Sequence, residues 1–190
     1  MLSSVPSLLS SSPSAASAPG WFFDAAHHSS KFLELNDGGR TVRCHTNGGR
    51  ASQGTAFMSS PFLPGRRYQI QIRVDSKPGR MCYFFGVSPA LFDVDAGQAG
   101  IRGKAFSLEN LYASVHAAGR PCTTRSPPCF HAGSTVTMDV DLASQPCSLR
   151  FSGLAGGAVQ ETTLPRVPMR AFVSLYNRNA AFTIIKAAQV

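Results

Sequence analysis

Histidines and carboxylates are the side chains of this sequence that could exchange protons at neutral pH. A histidine beside a carboxylate is a common arrangement for general acid–base catalysis. The sequence nevertheless has no nucleophile elbow, no glycine-rich phosphate loop with its lysine and no metal-binding motif. We therefore expect a protein that is not an enzyme. The histidines considered are His27, His28 and His131, and the acids are Asp93, Asp95, Asp139, Asp141 and Glu161.

Cysteines and histidines near position 125 could in principle hold zinc. Cys122, Cys129 and His131 lie close together, with His116 nearby. Structural zinc sites usually present paired ligands two to four residues apart, whereas six residues, including two prolines, separate the cysteines. We expect a proline-rich loop here, with no metal and no cofactor. The five cysteines are odd in number and unevenly spaced, which favours reduced thiols and a cytoplasmic protein.

The net charge of +8 raises the question of nucleic acid. Lysine and arginine that neutralise phosphates bind without sequence preference. The 18 basic residues are spread along the chain, and no run exceeds two of them. Nucleic acid is therefore an unlikely partner on sequence grounds, although an RNA-associated subunit that uses the basic surface stays as an alternative.

Residues 1–20 differ in composition from the rest of the chain. They are rich in serine, alanine and proline and contain no charged or aromatic side chain. This composition predicts a disordered tail, followed by one domain over residues 21–190 with Trp21 anchoring the first strand. The tail lacks the basic start of a secretory signal, and no segment approaches the ~20 apolar residues that span a membrane.

Glycine and proline recur about every ten residues from Trp21 onward, and the segments between them alternate apolar and polar residues. This pattern predicts an all-β protein, with at most one helical turn over Ser88–Phe92. Between Arg67 and Val74, Tyr68, Ile70, Ile72 and Val74 share one face. The predicted strands are Phe32–Leu35, Thr41–His45, Ala56–Phe62, Arg67–Val74, Met81–Val87, Leu111–His116, Thr135–Leu142, Ser148–Phe151, Gln160–Leu164, Ala171–Tyr176 and Ala181–Lys186.

This many short strands must bury their apolar faces in two packed sheets or in a closed barrel. A two-sheet antiparallel β-sandwich is the simpler arrangement, and the barrel is the alternative. Near the C-terminus, Arg170–Ile184 combines two apolar strands with a polar turn at Tyr176–Asn179, which predicts a closing hairpin. The glycines of Gly153–Gly157 predict another hairpin turn.

Five segments, in order, resemble the SPRY (PRY-SPRY) domain family over most of residues 32–186. They are FLELNDGGRTVR at 32–43, PGRRYQIQIRV at 64–74, FFGVS at 84–88, HAGSTVTMDVDL at 131–142 followed by SLRFSGL, and RAFVSLYNRNAAFTI at 170–184. The chain departs from the family in an extra glycine at 38–39, in Gln69–Ile70 where many members have Trp-Glu, and in Ser152–Gly153 where the family usually has Asn-Gly.

The resemblance implies a concanavalin-like jelly roll that binds a protein or peptide through loops at one end and is not an enzyme. It also implies an intracellular adaptor, which could be one subunit of a larger complex. Asn177 and Asn179 have a structural alternative as residues of a tight turn, and Tyr176 has one as a core residue. A lectin-like, carbohydrate-binding sandwich is the alternative function. The ligand-binding residues that the resemblance implies are Tyr176, Asn177, Arg178, Phe92, Asp93 and Arg102.

Overall fold

The computed structural model describes residues 20–46, 53–76, 83–96, 104–110, 114–117, 120–121 and 130–190. These residues form β-strands and two short 3-10 turns, and they contain no α-helix. No helix among them is long and apolar enough to cross a membrane. Residues 1–19 lie outside the described residues, so the predicted disordered tail stays a prediction.

Two antiparallel sheets of seven strands each make up the described fold. From edge to edge, the first sheet contains β1 (Phe23–His28), β4 (Gly54–Met58), β13 (Arg170–Leu175), β6 (Phe84–Ser88), β7 (Phe106–Glu109), β8 (Ser114–Ala117) and β9 (Arg120–Pro121). The second sheet contains β12 (Gln160–Leu164), β11 (Cys147–Ser152), β10 (Thr135–Asp141), β5 (Arg67–Ser76), β14 (Ala181–Gln189), β3 (Thr41–Cys44) and β2 (Leu33–Asn36). The predicted sandwich is confirmed.

The main core lies between the two sheets, and β5 shows how the sequence builds it. Tyr68, Ile70, Ile72 and Val74 are buried, while the residues between them are exposed or half-buried. This is the alternation expected of a strand with one face on the core. Neighbouring β10 repeats the pattern, since Met138 is buried and pairs with Ile70.

Every predicted strand overlaps an observed one, and the described residues contain three strands that the pattern missed, namely β1, β7 and β9. In β1, only Phe23 is buried, because this strand lies at the edge of its sheet and its register with β4 is irregular. Residues 153–157 connect the paired strands β11 and β12, as predicted. Ser88–Phe92 contains no helical turn.

The predicted C-terminal hairpin is wrong. β13 pairs with β4 and β6 in the first sheet, whereas β14 pairs with β3 and β5 in the second. Residues 176–180, called the arch from here on, therefore cross from one sheet to the other. A polar turn between two apolar strands specifies a reversal of direction, but it does not specify that the two strands pair with each other.

A second apolar cluster lies on the outer face of the first sheet. It contains Phe57, Phe84 and Phe172 from three strands, together with Phe92 and Ala105 from the connection between β6 and β7. The described part of this connection thus covers the sheet from outside. The first sheet is consequently apolar on both faces, which explains why β4 and β6 are buried at every position.

Candidate functional site

Strand register brings several chain connections to the end of the sandwich that carries the arch. Leu175, the last residue of β13, pairs with Gly54, the first residue of β4. Ser174 pairs with Phe84, the first residue of β6, and Ala181 pairs with Ser76, the last residue of β5. The arch therefore lies beside the starts of β4 and β6 and the end of β5. We call this end of the sandwich the arch end.

The backbone of the arch is fixed to β3. The Asn179 N–H donates to the carbonyl oxygen of Cys44 at 2.7 Å, and the Cys44 N–H donates to the carbonyl oxygen of Ala180 at 2.8 Å. A third bond, from the Ala180 N–H to the carbonyl oxygen of Asn177, closes the turn at 3.0 Å. Asn179 has a φ of 67°, a left-handed conformation that asparagine tolerates better than most residues. The structural interpretation of Asn179 is therefore confirmed.

The three predicted ligand-binding residues of the arch have different environments. Tyr176 is buried, with 8% of its surface exposed. Asn177 is half-buried and hydrogen-bonds to the hydroxyl of buried Tyr83. Burial raises the pKa of that hydroxyl, and the bond to Asn177 offsets only part of the increase. Arg178 is exposed and forms no ion pair with the residues described, so its guanidinium is available to a partner.

The connection after β6 also reaches the arch end. Phe92 is buried, and its ring centroid lies 4.8 Å from that of Phe57 and 5.4 Å from that of Phe172. Two residues later, the Val94 carbonyl accepts a bond of 3.1 Å from the Thr55 N–H. Thr55 pairs with Ser174 of β13, the strand that leads into the arch. This part of the connection therefore lies within about two strand spacings, roughly 10 Å, of β13.

Asp93 and Asp95 place carboxylates on the surface of this connection. Asp93 is exposed, and its Oδ1 accepts a hydrogen bond of 2.9 Å from the Asp95 N–H. Asp95 Oδ1 accepts a hydrogen bond from the hydroxyl of Ser29, at the end of β1. The structure thus brings Asp93 to the arch end and uses Phe92 to hold it there. Arg102, the remaining predicted residue, lies outside the described residues.

Sequence reasoning missed the side chains that hold these segments. Tyr83 supports Asn177, and Ser29 supports Asp95 although 66 positions separate the two residues. Neither pair carries a local sequence signal, because a tight-turn motif covers only a few neighbouring residues. The register of β6 with β13 places Tyr83 beside the arch, and backbone bonds of Ser29 and Val94 with Thr55 of β4 bring Ser29 near Asp95.

The described histidine–carboxylate pairs differ from those considered in the sequence. His27 Nδ1 lies 2.7 Å from Asp24 Oδ2, and His116 Nε2 lies 2.8 Å from Glu109 Oε2. Burial would raise the pKa of Asp24, but hydrogen bonds from His27 and from the Ala26 N–H, with the nearby Arg170 charge, hold it below its usual value. Asp24 is therefore a carboxylate that accepts hydrogen bonds along an edge strand, an arrangement that supports structure.

Asp139, Asp141 and Glu161 of the sequence hypothesis lie on the second sheet, and the first two have structural partners. Asp139 accepts a bond of 2.9 Å from Gln69, and Asp141 accepts bonds from the Ser144 N–H and hydroxyl. No group of three His, Cys, Asp or Glu side chains within the described ranges is arranged to hold a metal ion. Cys122 and Cys129 lie outside those ranges.

Comparison with known proteins finds similarity in structure only. No family model matches the sequence, and no curated protein matches it. The SPRY domain of human HERC1 is 16% identical, with a TM-score of 0.64 over 85% of this chain and 96% of that domain. The TRIM65 PSpry domain is 17% identical, with a TM-score of 0.66 over 87% of this chain and 92% of that one.

A further human SPRY domain is 14% identical, with a TM-score of 0.64 over 83% of this chain and 95% of that domain. The chain therefore has the fold of SPRY domains, as the five sequence segments predicted. Positions that departed from the family pattern lie on regular strands of this fold. Gln69 and Ile70 lie in the middle of β5, and Ser152 ends β11.

Proposed function

We propose that this protein is a non-enzymatic interaction module of SPRY type, which binds a peptide or a protein surface through the arch end. The observation that carries the proposal is the arch itself. Exposed Arg178 lies on a turn whose backbone is bonded to Cys44 through the Asn179 N–H and the Ala180 carbonyl. A recognition side chain on a fixed backbone loses less conformational entropy on binding than one on a mobile loop.

The chemistry of the arch end favours a polar partner. Arginine presents a planar fork of donors that suits a carboxylate or a backbone carbonyl. Asp93, on the connection anchored by Phe92, adds an exposed acceptor for a donor of the partner. A peptide with an acidic group for Arg178 and an N–H or basic group for Asp93 would match both.

The proposal extends to the setting of the protein. By the resemblance to SPRY domains, we propose a cytoplasmic adaptor that acts as a subunit of a larger complex. The free thiols of Cys44 and Cys147 suit a reducing compartment.

The test is a pull-down from the source cell with tagged wild type, Arg178→Ala and Arg166→Ala. Arg166 is the matched control, because it is also an exposed arginine but lies between β12 and β13, at the opposite end of the sandwich. We expect Arg166→Ala to recover the same proteins as wild type and Arg178→Ala to bind them about 5- to 30-fold more weakly, the loss typical of an interface arginine. Equal recovery by all three proteins would show that the arch is not the binding surface.

Tyr176 is left unchanged in this experiment. Its side chain is buried, so a truncation there would perturb the first sheet and confuse loss of fold with loss of contact. Arg178 and Arg166 are both exposed, and neither substitution creates a cavity.

A further inference from the structure

A groove with a volume of about 460 Å³ lies along the second half of β14. Its walls are Gly20, Trp21, Arg40 and residues 184–189. We call it the β14 groove. β3 pairs with β14 only at Ala181–Thr183, and the last contact on this side is the bond of 2.9 Å from the Ile184 N–H to the Arg40 carbonyl. Beyond Ile184, no strand of the described chain pairs with β14 on the groove side.

The backbone of β14 faces this groove with hydrogen-bonding groups that no other described strand pairs with. On the other side, β14 pairs with β5, and the Val190 N–H donates to the Arg67 carbonyl at 3.0 Å. Alternate residues of an antiparallel strand direct their N–H and C=O groups to opposite sides. Ala188 therefore faces β5 as Val190 does, while Ala187 and Gln189 direct their backbone groups into the groove. An unpaired edge of this kind is a template for another strand.

The groove also offers an apolar surface beside this edge. Trp21 is half-buried, and its ring lies 5.3 Å from that of Phe62 and 5.8 Å from that of Tyr68. Ile185 is 40% exposed, and Ala187 packs against the main core. Among the described residues, Arg40 and Lys186 are the charged side chains that line the groove, and no carboxylate of these residues lines it. An uncharged strand seated here would cover apolar surface and bring no positive charge beside Arg40 or Lys186.

We propose that the occupant is the chain's own segment Ser7–Ser12, which adds to the free edge of β14 as an extra strand. Residues 1–19 end at Gly20, which itself lines the groove, so the segment is tethered at its binding site and has a high effective concentration there. Ser7–Ser12 is the longest stretch of these residues without proline, which cannot donate to a ladder.

Length and side chains fit the groove. The free edge from Ile185 to Gln189 is about 17 Å long, and the seven residues from Pro13 to Pro19 can extend over about 23 Å. Leu8 and Leu9 are adjacent, so one of them faces the groove in either register of a pleated strand. The segment is uncharged and places no like charge beside Arg40 or Lys186. This inference concerns the end of the sandwich opposite the arch and is independent of the proposed function.

Trp21 is the only tryptophan of the chain and therefore reports on the groove. Acrylamide quenching of its fluorescence is measured on the full chain in wild type, in the Leu8→Asp, Leu9→Asp variant and in a Leu2→Asp, Val5→Asp control. The control introduces the same two charges outside Ser7–Ser12. We expect the quenching constant to rise in the first variant and to stay at the wild-type value in the control. Equal constants for wild type and the first variant would overturn the proposal.

Amide hydrogen exchange measured by NMR gives an independent readout. In wild type, the amides of Ala187 and Gln189 are expected to be protected, and in the Leu8→Asp, Leu9→Asp variant to exchange at least about tenfold faster. Free exchange of both amides in wild type overturns the proposal. Protection that disappears on dilution assigns the edge to a second copy of the chain, and protection that survives in the variant assigns it to a different segment; either result also overturns it.

Discussion

Asn177 and Arg178 are adjacent in sequence and serve opposite purposes. The Asn177 side chain is directed to the buried hydroxyl of Tyr83, whereas Arg178 is exposed. Buried hydroxyls need hydrogen-bond partners, because an unmade bond costs the full desolvation of the group. Asn177 therefore supports the arch from below, and Arg178 is the residue of the pair that can meet a ligand.

Asn177→Ala is expected to lower the free energy of unfolding by about 1–3 kcal/mol, because Tyr83 loses this hydrogen-bond partner inside the protein. Arg178→Ala is expected to change it by less than about 0.5 kcal/mol, as for other exposed positions. Urea unfolding of both variants measures the difference. A double-mutant cycle of Asn177→Ala with Tyr83→Phe isolates the bond, and additive effects in that cycle would contradict the coupling.

Asp141 predicts a dependence of stability on pH. Burial would raise the pKa of its carboxyl, but hydrogen bonds from the Ser144 N–H and hydroxyl and from the Ala143 N–H, with the Arg67 guanidinium, hold it below the usual 3.8. Because the pKa is lower in the folded state, the Asp141 carboxylate stabilises the fold at pH values above its usual pKa of 3.8. This stabilisation is lost as the pH falls through the lowered pKa.

The measurement is urea unfolding of wild type and Asp141→Asn between pH 7 and pH 2. Asparagine keeps the shape of the side chain but has no charge, so the wild type should be the more stable protein at pH 7 and lose this advantage below about pH 4. A difference between the two proteins that stays constant over this range would show that the charge of Asp141 does not stabilise the fold.

At the scale of the strands, the sequence predicts elements better than it predicts which elements pair. Period-two alternation located β5 and β10 because one face of each is buried. The same reasoning placed β13 and β14 in one hairpin, although the main core lies between them. β13 is buried from Ala171 to Leu175, and β14 begins with buried Ala181 and Phe182. A continuous apolar run of this kind is compatible with either sheet. Pairing depends on long-range packing, which no local pattern records.

Gly86 shows how closely the strands of the first sheet approach. A Cβ at this position of β6 would lie 2.1 Å from the Phe106 carbonyl oxygen and 2.6 Å from the Ser107 Cα, both backbone atoms of β7. Gly86→Ala must therefore separate β6 from β7 and is expected to lower the free energy of unfolding by at least about 3 kcal/mol, the upper end for overpacking. Chemical denaturation measures the effect.

Gly38→Ala is the control for this substitution. Gly38 has a φ of 64° and nothing within 4 Å of the added Cβ, so its cost is only the backbone strain of about 1–2 kcal/mol. If Gly86→Ala is no more destabilising than Gly38→Ala, then β6 and β7 do not approach each other as closely at Gly86 as described.

Across the whole molecule, the candidate site depends on a core that the sequence did not predict. Phe92 was expected at the ligand surface, and it lies instead in the apolar cluster outside the first sheet. An irregular connection has no hydrophobic periodicity from which the burial of a phenylalanine can be predicted. The exposure of Arg178 and Asp93 was predictable because turns and loops lie at the surface of most folds, whereas the burial of Phe92 depends on which strand faces it.

The two cores predict that the connection carrying Asp93 can open while the sandwich stays folded. Phe92→Ala removes a ring that contacts Phe57 and Phe172, and this loss costs about 3 kcal/mol, the low end for a buried phenylalanine. The main core between the sheets is unchanged. The Thr55 amide, which donates to Val94 of the connection, should then exchange with solvent at least about tenfold faster, while the Ile184 amide, bonded to Arg40 in the second sheet, keeps its rate. Amide exchange measured by NMR distinguishes this opening from global unfolding, because equal acceleration at both amides would mean that the outer cluster and the main core unfold as one unit.

If the connection opens alone, the variant should also bind its partner more weakly, since Asp93 is no longer held beside the arch.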